Sequence, residues 1–541
     1  MAPSTSAPRK TKIAIVGGGF AGVYTAQHLE RLLAHRSDVE ITLYNRDNYF
    51  VFQPLLPEVV SGTIGLLDTV SPIRHMLKRT QLAAREVESI DLGAKRIRTS
   101  GAFTARPHDE SYDHLVLALG NVTDFRGLTG LAEHALPFKN LADALAVRSH
   151  VIRALEEADL EAHEPALRRQ LLTFVVAGGG FSGVEVAAEL NDFVRGVARR
   201  YPSIREEELR VVLVHSGDRI LPEMDPSLAK FAQDILQKRG VEIRTKARLG
   251  AATGQEAILS DGERIPTQTL ISTVPSSPHP LVDALPLPKV KGRIQVDAHL
   301  RVAGLPGVWA LGDCALVPGP DGQPAPPTAQ HATRQGRLAA ENIAATLAGR
   351  PELARFDFRG LGKMGSLGRR TAVAEVFGLK ISGFLAWFLW RTVYLMKMPG
   401  WGRRLKVALS WTLDLFLPPE LVQLRLEGSA GVTKEHFEPG QLVFAEGDTG
   451  DRLYILLAGA AEVVQREAGV VATLGPGDAF GEMALLSGQQ RNASVRCTSA
   501  MDVLCLPKRD FSLLAAQLPD LRRSFEKITE ERGRSLSREA S

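Results

Sequence analysis

Short unbroken apolar runs that close on glycine dominate the first two thirds of the chain. Ile13 to Val16 runs into Gly17, and Ala21, Ala26 and Leu29 continue at helical spacing. Leu172 to Val176 leads in the same way to Gly178. The segments 112–120 (YDHLVLALG) and 305–315 (LPGVWALGDCA) are two more apolar strands that end at glycine. Strand, tight turn and helix in succession predict an α/β fold. Two regions break the pattern. The stretch 381–417 is aromatic and apolar with basic flanks, interrupted at Pro399-Gly400. From about residue 427, short alternating strands are split by Pro-Gly, Glu-Gly-Asp and Ala-Gly turns, which predicts a small β-roll with late helices.

The 541 residues are 44 % apolar; length alone allows about three to four domains with sizeable cores. A net charge of +4 does not mark a polyanion binder, so no nucleic-acid partner is expected. Cys314, Cys497 and Cys505 form no C-x-x-C, which removes zinc ribbons and thioredoxin chemistry, and no metal site is expected. A disulfide scaffold is disfavoured and a cytoplasmic-type redox setting fits. The polar start MAPSTSAPRKTK predicts no signal peptide, and no apolar run reaches the roughly 18 to 20 residues a spanning helix needs.

Gly17, Gly19 and Gly22 keep G-x-G-x-x-G spacing between a strand and a helix. Gly178, Gly180 and Gly183 repeat it about 160 residues later. The glycines let backbone approach a pyrophosphate, and the helix N-terminus offers N–H groups and a positive dipole end. Two intact loops predict two dinucleotide sites in two Rossmann-like domains.

Longer motifs are more specific. Residues 10 to 420 resemble the type II NADH dehydrogenases, single-chain flavin enzymes that reduce quinone. The resemblance rests on NYFVFQPLLPEV (48–59), ALGNVTDFRGL (118–128), LADALAVRSHVI (141–152), LGDCA and TAQHATRQG (328–336). It implies FAD on the first loop and NADH on the second. It places Gln53 and Gly120 in the flavin motifs and Asp313 beside the ribityl chain. It also puts Glu185, in SGVE, near flavin and nicotinamide for hydrogen bonding and proton handling. No C-x-x-x-x-C follows Gly22, so a disulfide reductase is disfavoured.

The chain departs from that pattern in places. The acid expected at the end of the next strand is Asn45 at the first site, where it still bonds a ribose, and His215 at the second. The resemblance implies NADH as donor, but His215, with Arg219 four residues on, removes the carboxylate that repels a 2′-phosphate and makes NADPH its rival. The quinone motif keeps Gln330, a candidate catalytic hydrogen-bond donor, but carries Arg334 in the place of a second glutamine.

Segment 369–417 holds eight Lys/Arg against two acids, and four of the chain's five tryptophans: Trp387, Trp390, Trp401 and Trp411. That composition suits an in-plane helix pair on a membrane surface. The expected placement is therefore peripheral, on the cytoplasmic face, with quinone as partner; a homodimer stays open.

The last stretch resembles cyclic-nucleotide-binding domains, with FGEMALLSGQQRNASV as its phosphate-binding cassette. Gly481 allows close backbone approach, Glu482 accepts from a ribose hydroxyl, and Arg491 forks onto the cyclic phosphate. Ala493 and Ser494 follow on the exit strand. Gln490 stands where a proline often precedes the arginine. The expected ligand is cyclic AMP or cyclic GMP, and the tail is expected to modulate the reductase or its docking.

The resulting layout is a first flavin-domain part at 10–125, a nicotinamide domain at 126–289, and a second flavin-domain part at 290–365. Membrane helices at 366–425 and a cyclic-nucleotide-binding domain at 426–541 follow. The alternatives are a flavoprotein reductase of a soluble carrier and a non-catalytic cyclic-nucleotide sensor.

Overall fold

The computed structural model describes residues 9–100, 108–123, 125, 128–161, 163–274, 276–417, 420–423, 433–448, 452–487 and 491–507. Residues 1–8 of the polar start, Gln490 and the late helices expected beyond 507 lie outside the described residues.

Two five-stranded parallel sheets form the centre. In the first, strand order runs Val308–Ala310, His114–Leu117, Thr11–Val16, Val39–Asn45, Gln81–Ala84. In the second it runs Ala135–Pro137, Thr269–Ser272, Thr173–Ala177, Arg210–Val214, Val241–Arg244. The unbroken apolar runs are explained by burial on both faces: every residue of His114–Leu117 and of Thr173–Ala177 is buried. The first sheet takes strands from both sides of the second, so the flavin-type domain is discontinuous in sequence. The chain crosses as an antiparallel ribbon pairing Asn121–Thr123 with Ser276–Pro278.

A three-stranded antiparallel sheet, Gly362–Ser366, Ala372–Val376 and Leu379–Gly383, then feeds the helix Phe384–Lys397. A second helix, Trp401–Leu413, starts after Gly400 in the left-handed region at φ +86°. Among the described residues no helix is long and apolar enough to cross a membrane. The helix pair falls where the sequence predicts it, but its aromatic residues are sorted differently from a simple interfacial belt. Trp387, Trp390 and Trp411 face inward, and only Trp401 is exposed. Two of them pack around a buried charge. Arg391 lies between the Trp387 and Trp411 rings at 4.3 and 4.6 Å and pairs with Glu58 at 3.7 Å.

The tail is two four-stranded antiparallel sheets. One orders Thr433–Phe437, Met501–Pro507, Arg452–Ala458 and Ala479–Phe480; the other orders Leu442–Phe444, Ser494–Cys497, Ala461–Gln465 and Gly469–Leu474. Tyr454, Leu456, Phe480, Val495 and Val503 build its core, as the alternation requires.

Candidate functional site

A cleft of about 560 Å³ opens at the C-terminal ends of the first sheet's strands, the place where open α/β sheets receive ligands. Gly17, Gly18 and Gly19 form one wall. Gly17 sits at φ +112°, and a Cβ there would lie 2.3 Å from the Ala118 carbonyl oxygen. A Cβ on Gly22 would lie 1.9 Å from the Gly17 carbonyl oxygen. A Cβ on Gly19 meets nothing within 4 Å. The outer two glycines are therefore demanded by the fold, and the middle one faces open space where a pyrophosphate would lie.

Asn45, Gln53, Gly120 and Asp313 all line this cleft. The Gly18 N–H donates to Asn45 Oδ1 at 2.7 Å, and Asn45 Nδ2 donates to the Asp47 carbonyl at 2.7 Å. The residue expected to hold a ribose thus also pins the glycine loop. Asp313 accepts from Asn121 Nδ2 at 3.3 Å, and burial raises its carboxyl against the pull of Lys139 and Arg293. Asn121 Oδ1 is buried with no partner among the described residues. An orphaned acceptor and a loop shaped around empty space fit a flavin dinucleotide.

The second domain repeats the construction. Gly178 sits at φ +117° against Thr273, and a Cβ on Gly183 would lie 1.8 Å from the Gly178 carbonyl oxygen. Gly180 is again open, with Glu223 Oε1 at 3.9 Å. The Gly179 N–H donates to His215 Nδ1 at 3.1 Å, as Gly18 does to Asn45. That bond requires a lone pair on Nδ1, so the neutral ring carries its proton on Nε2.

Glu185 is carried on the helix Phe181–Val197, buried behind the strand Gly362–Ser366, and does not belong to the cleft wall. Its Oε1 accepts the Ser366 N–H at 2.9 Å. Burial pushes its pKa up to about 8, with the Glu58 charge adding to the rise. One turn on, burial also raises Glu189, and it raises Glu58 across the packing interface. Glu58 Oε2 accepts from the Trp411 indole N–H at 2.6 Å.

Gln330 has both ends of its amide engaged: Leu361 N–H donates to Oε1 and Nε2 donates to the Gly362 carbonyl, each at 3.1 Å. It anchors the strand after the last flavin-domain helix. Arg334 donates to the Gln330 carbonyl at 3.1 Å and stacks over Phe358 at 3.8 Å. Gln335 holds the Gly312 N–H at 2.8 Å and so positions Asp313.

In the tail, a cavity of about 130 Å³ is lined by Gly481, Glu482, Arg491 and Ala493, with Phe444 and Val463 opposite. Glu482 and Arg491 are 1 % and 4 % exposed, which places both charges inside the pocket wall. Ser494 stands outside the lining and accepts the Glu446 N–H at 2.9 Å.

Sequence reading missed Lys139, Arg293, Gln335 and Asn121 around Asp313, and the Glu58, Glu189 and Arg391 cluster. Lys139 and Asn121 lie in or beside quoted motifs. The buried acids carried a weaker signal, a carboxylate on an otherwise apolar helix face.

Comparison with known proteins decides the family. Residues 11–336 match the family model described as pyridine nucleotide-disulphide oxidoreductase, and 361–417 match the NDH2 C-terminal domain. Residues 434–517 match the cyclic nucleotide-binding domain. The chain belongs to the type II NADH dehydrogenase family. The type II NADH:quinone oxidoreductase Ndh of Mycobacterium tuberculosis is 30 % identical over 81 % of this chain and 94 % of its own length. The demethylphylloquinone reductase NdbB of Synechocystis is 32 % identical over 74 % of this chain and 96 % of its own. A solved structure of NDH2 from Plasmodium falciparum in complex with NADH aligns at TM-score 0.70 and 19 % identity, covering 76 % of this chain and all of that one. This type II enzyme therefore carries a cyclic nucleotide-binding domain behind its oxidoreductase part.

Proposed function

We propose that the protein oxidises NADH and reduces a membrane quinone through FAD, without pumping protons, from the cytoplasmic face of a membrane. We further propose that a cyclic nucleotide in the tail modulates it. The observation that carries the redox reading is the pair of equivalent cradles, Gly18 on Asn45 and Gly179 on His215. When bound, FAD supplies the step that turns a hydride into two electrons for the acceptor. Overall, NADH, one proton and a quinone give NAD⁺ and a quinol.

The chain's residues do the rest. The loops at Gly17 and Gly178 hold the two pyrophosphates. Lys139 and Arg293 flank Asp313 and offset its charge near the flavin. Burial raises the Glu185 pKa to about 8, which suits it to proton handling, and its Oε1 takes the Ser366 N–H. Phe384, Leu385, Phe388, Met396, Trp401 and Leu405 leave an exposed apolar face on the helix pair, beside basic residues. Such a face suits insertion at a lipid surface.

The domain boundaries given above serve as the proposed layout. A second reading, a soluble electron carrier as acceptor, is favoured by Gln330 and Arg334. The amide is committed to backbone and a cation stands in the second glutamine's place. The deciding experiment bleaches the purified flavoprotein with NADH and follows reoxidation. Fast reoxidation by a short-chain quinone supports the proposal. Bleaching with no reoxidation by quinone, but with reoxidation by a small iron–sulfur carrier, overturns the acceptor.

A further inference from the structure

The amphipathic helices precede the tail in sequence, yet the tail's hydrogen bonds to the rest of the chain, among the described residues, fall on the second nucleotide-binding domain. His134 Nε2 meets the His436 carbonyl at 3.1 Å, and Gln441 Nε2 donates to Thr253 Oγ1 at 2.9 Å. The two anchor points are locked to each other. His134 ends the helix Leu131–His134, which runs directly into the edge strand Ala135–Pro137 of the second parallel sheet. Thr253 follows the strand Leu249–Ala252, and Gly130 lies so close to that strand that a Cβ would sit 1.9 Å from the Ala252 carbonyl oxygen. A shift at the seam therefore acts on the domain as a unit.

On the tail side, the docking strand Thr433–Phe437 pairs with Met501–Pro507, which pairs with Arg452–Ala458. Arg452 spans this sheet. Its guanidinium pairs with Glu435, next to His436. Its carbonyl accepts from Arg491 Nη2 at 2.9 Å. Arg491 also donates to the Gly481 carbonyl at 2.5 Å and stacks over Phe444 at 4.1 Å. The guanidinium that faces the tail pocket is thus held on the backbone of the residue whose side chain clasps the docking strand.

An anionic phosphate competes for those donors, because it adds a full opposite charge and a bidentate geometry that a neutral carbonyl oxygen lacks. Arg491 can then exchange the Gly481 and Arg452 carbonyls for the phosphate. A bistable element of this kind is what coupling between two sites requires.

We propose that the line Arg491–Arg452–Glu435–His436 couples the tail pocket to the nicotinamide domain, so that a cyclic nucleotide and a nicotinamide nucleotide change each other's affinity. The inference rests on the reading of the tail pocket as a cyclic-nucleotide site. Coupling of binding is reciprocal, and this sets the test. The full-length flavin-loaded protein is titrated calorimetrically with cyclic AMP and with cyclic GMP, with and without saturating NAD⁺. In the converse experiment NAD⁺ is titrated with and without the cyclic nucleotide.

The expected result is a shift in Kd of about fivefold or more, equal in the two directions. His134→Ala combined with Gln441→Ala keeps cyclic-nucleotide affinity and flavin content but loses the shift. Glu435→Gln, which leaves the seam intact, loses it too and serves if the double variant fails to fold. An unchanged Kd in the unmodified protein, or an undiminished shift in the variants, overturns the coupling alone. If neither cyclic nucleotide binds, the ligand reading of the tail falls and the coupling with it.

Discussion

The Trp411 indole N–H donates to Glu58 Oε2 at 2.6 Å, joining the second amphipathic helix to a carboxylate of the flavin-domain core. Glu58 is 2 % exposed. The pair, with Arg391 beside it, fastens a surface element by a buried polar peg. Removing one side leaves the other unsatisfied, which costs about 1–3 kcal/mol. Trp411→Phe is therefore expected to lower the unfolding midpoint by several degrees. Limited proteolysis should then cut first within 384–417.

The same cluster sets a pH dependence. Burial raises Glu58, Glu185 and Glu189 above the ordinary glutamate value of 4.5, Glu185 to about 8. The folded state thus binds protons more tightly than the unfolded chain. That stabilisation is complete below pH 4.5 and is lost as pH rises through the folded values. From these groups, the unfolding midpoint should fall steadily between about pH 4.5 and 8. Glu185→Gln should flatten part of that slope. It should also slow quinone-driven reoxidation more than bleaching by NADH, a split that stopped-flow absorbance resolves.

Gly19 and Gly22 separate ligand space from fold space. Gly22→Ala places a Cβ 1.9 Å from the Gly17 carbonyl oxygen and should give little soluble protein. Gly19→Ala has nothing within 4 Å, so the chain should fold with its flavin content sharply reduced. Absorbance at the flavin band against total protein checks both. Gly180→Ala is the counterpart: flavin retained, with KM for NADH raised about tenfold or more.

His215 is the test of donor choice. His215→Glu supplies the acid that binds a ribose 2′-OH and repels a 2′-phosphate. It should shift the ratio of kcat/KM for NADH over NADPH upward by about tenfold. Loss of the Gly179 anchor would lower both values together, which the ratio removes.

Trp401 and Phe416 are 79 % and 80 % exposed. If they enter a lipid surface, Trp401→Ser with Phe416→Ser should weaken partition onto anionic vesicles by about a hundredfold or more, since each buried aromatic contributes about 1.5–3 kcal/mol. Activity with a water-soluble quinone should hold.

The local elements follow from the sequence alone. Continuous apolar runs closing on G-x-G-x-x-G read as buried strands turning into helices, with the first and last glycines set by close backbone packing and the middle one left open. The break at Pro399-Gly400 likewise fixes two helices instead of one, and the alternation after 427 fixes a β-roll. These are short-range consequences of backbone sterics and of period. What needed the tertiary structure was every relation between distant segments. Trp387 and Trp411 pack on Arg391, which meets Glu58 more than three hundred residues away. Gln330 is committed because 361–362 folds back onto it, and a motif cannot show which partner an amide finds. The tail rests on His134 and Thr253, although the chain leads into it from the amphipathic helices. Sequence order constrains only neighbours, whereas burial and hydrogen-bond satisfaction act through space, and they decided where each charge and each domain came to lie.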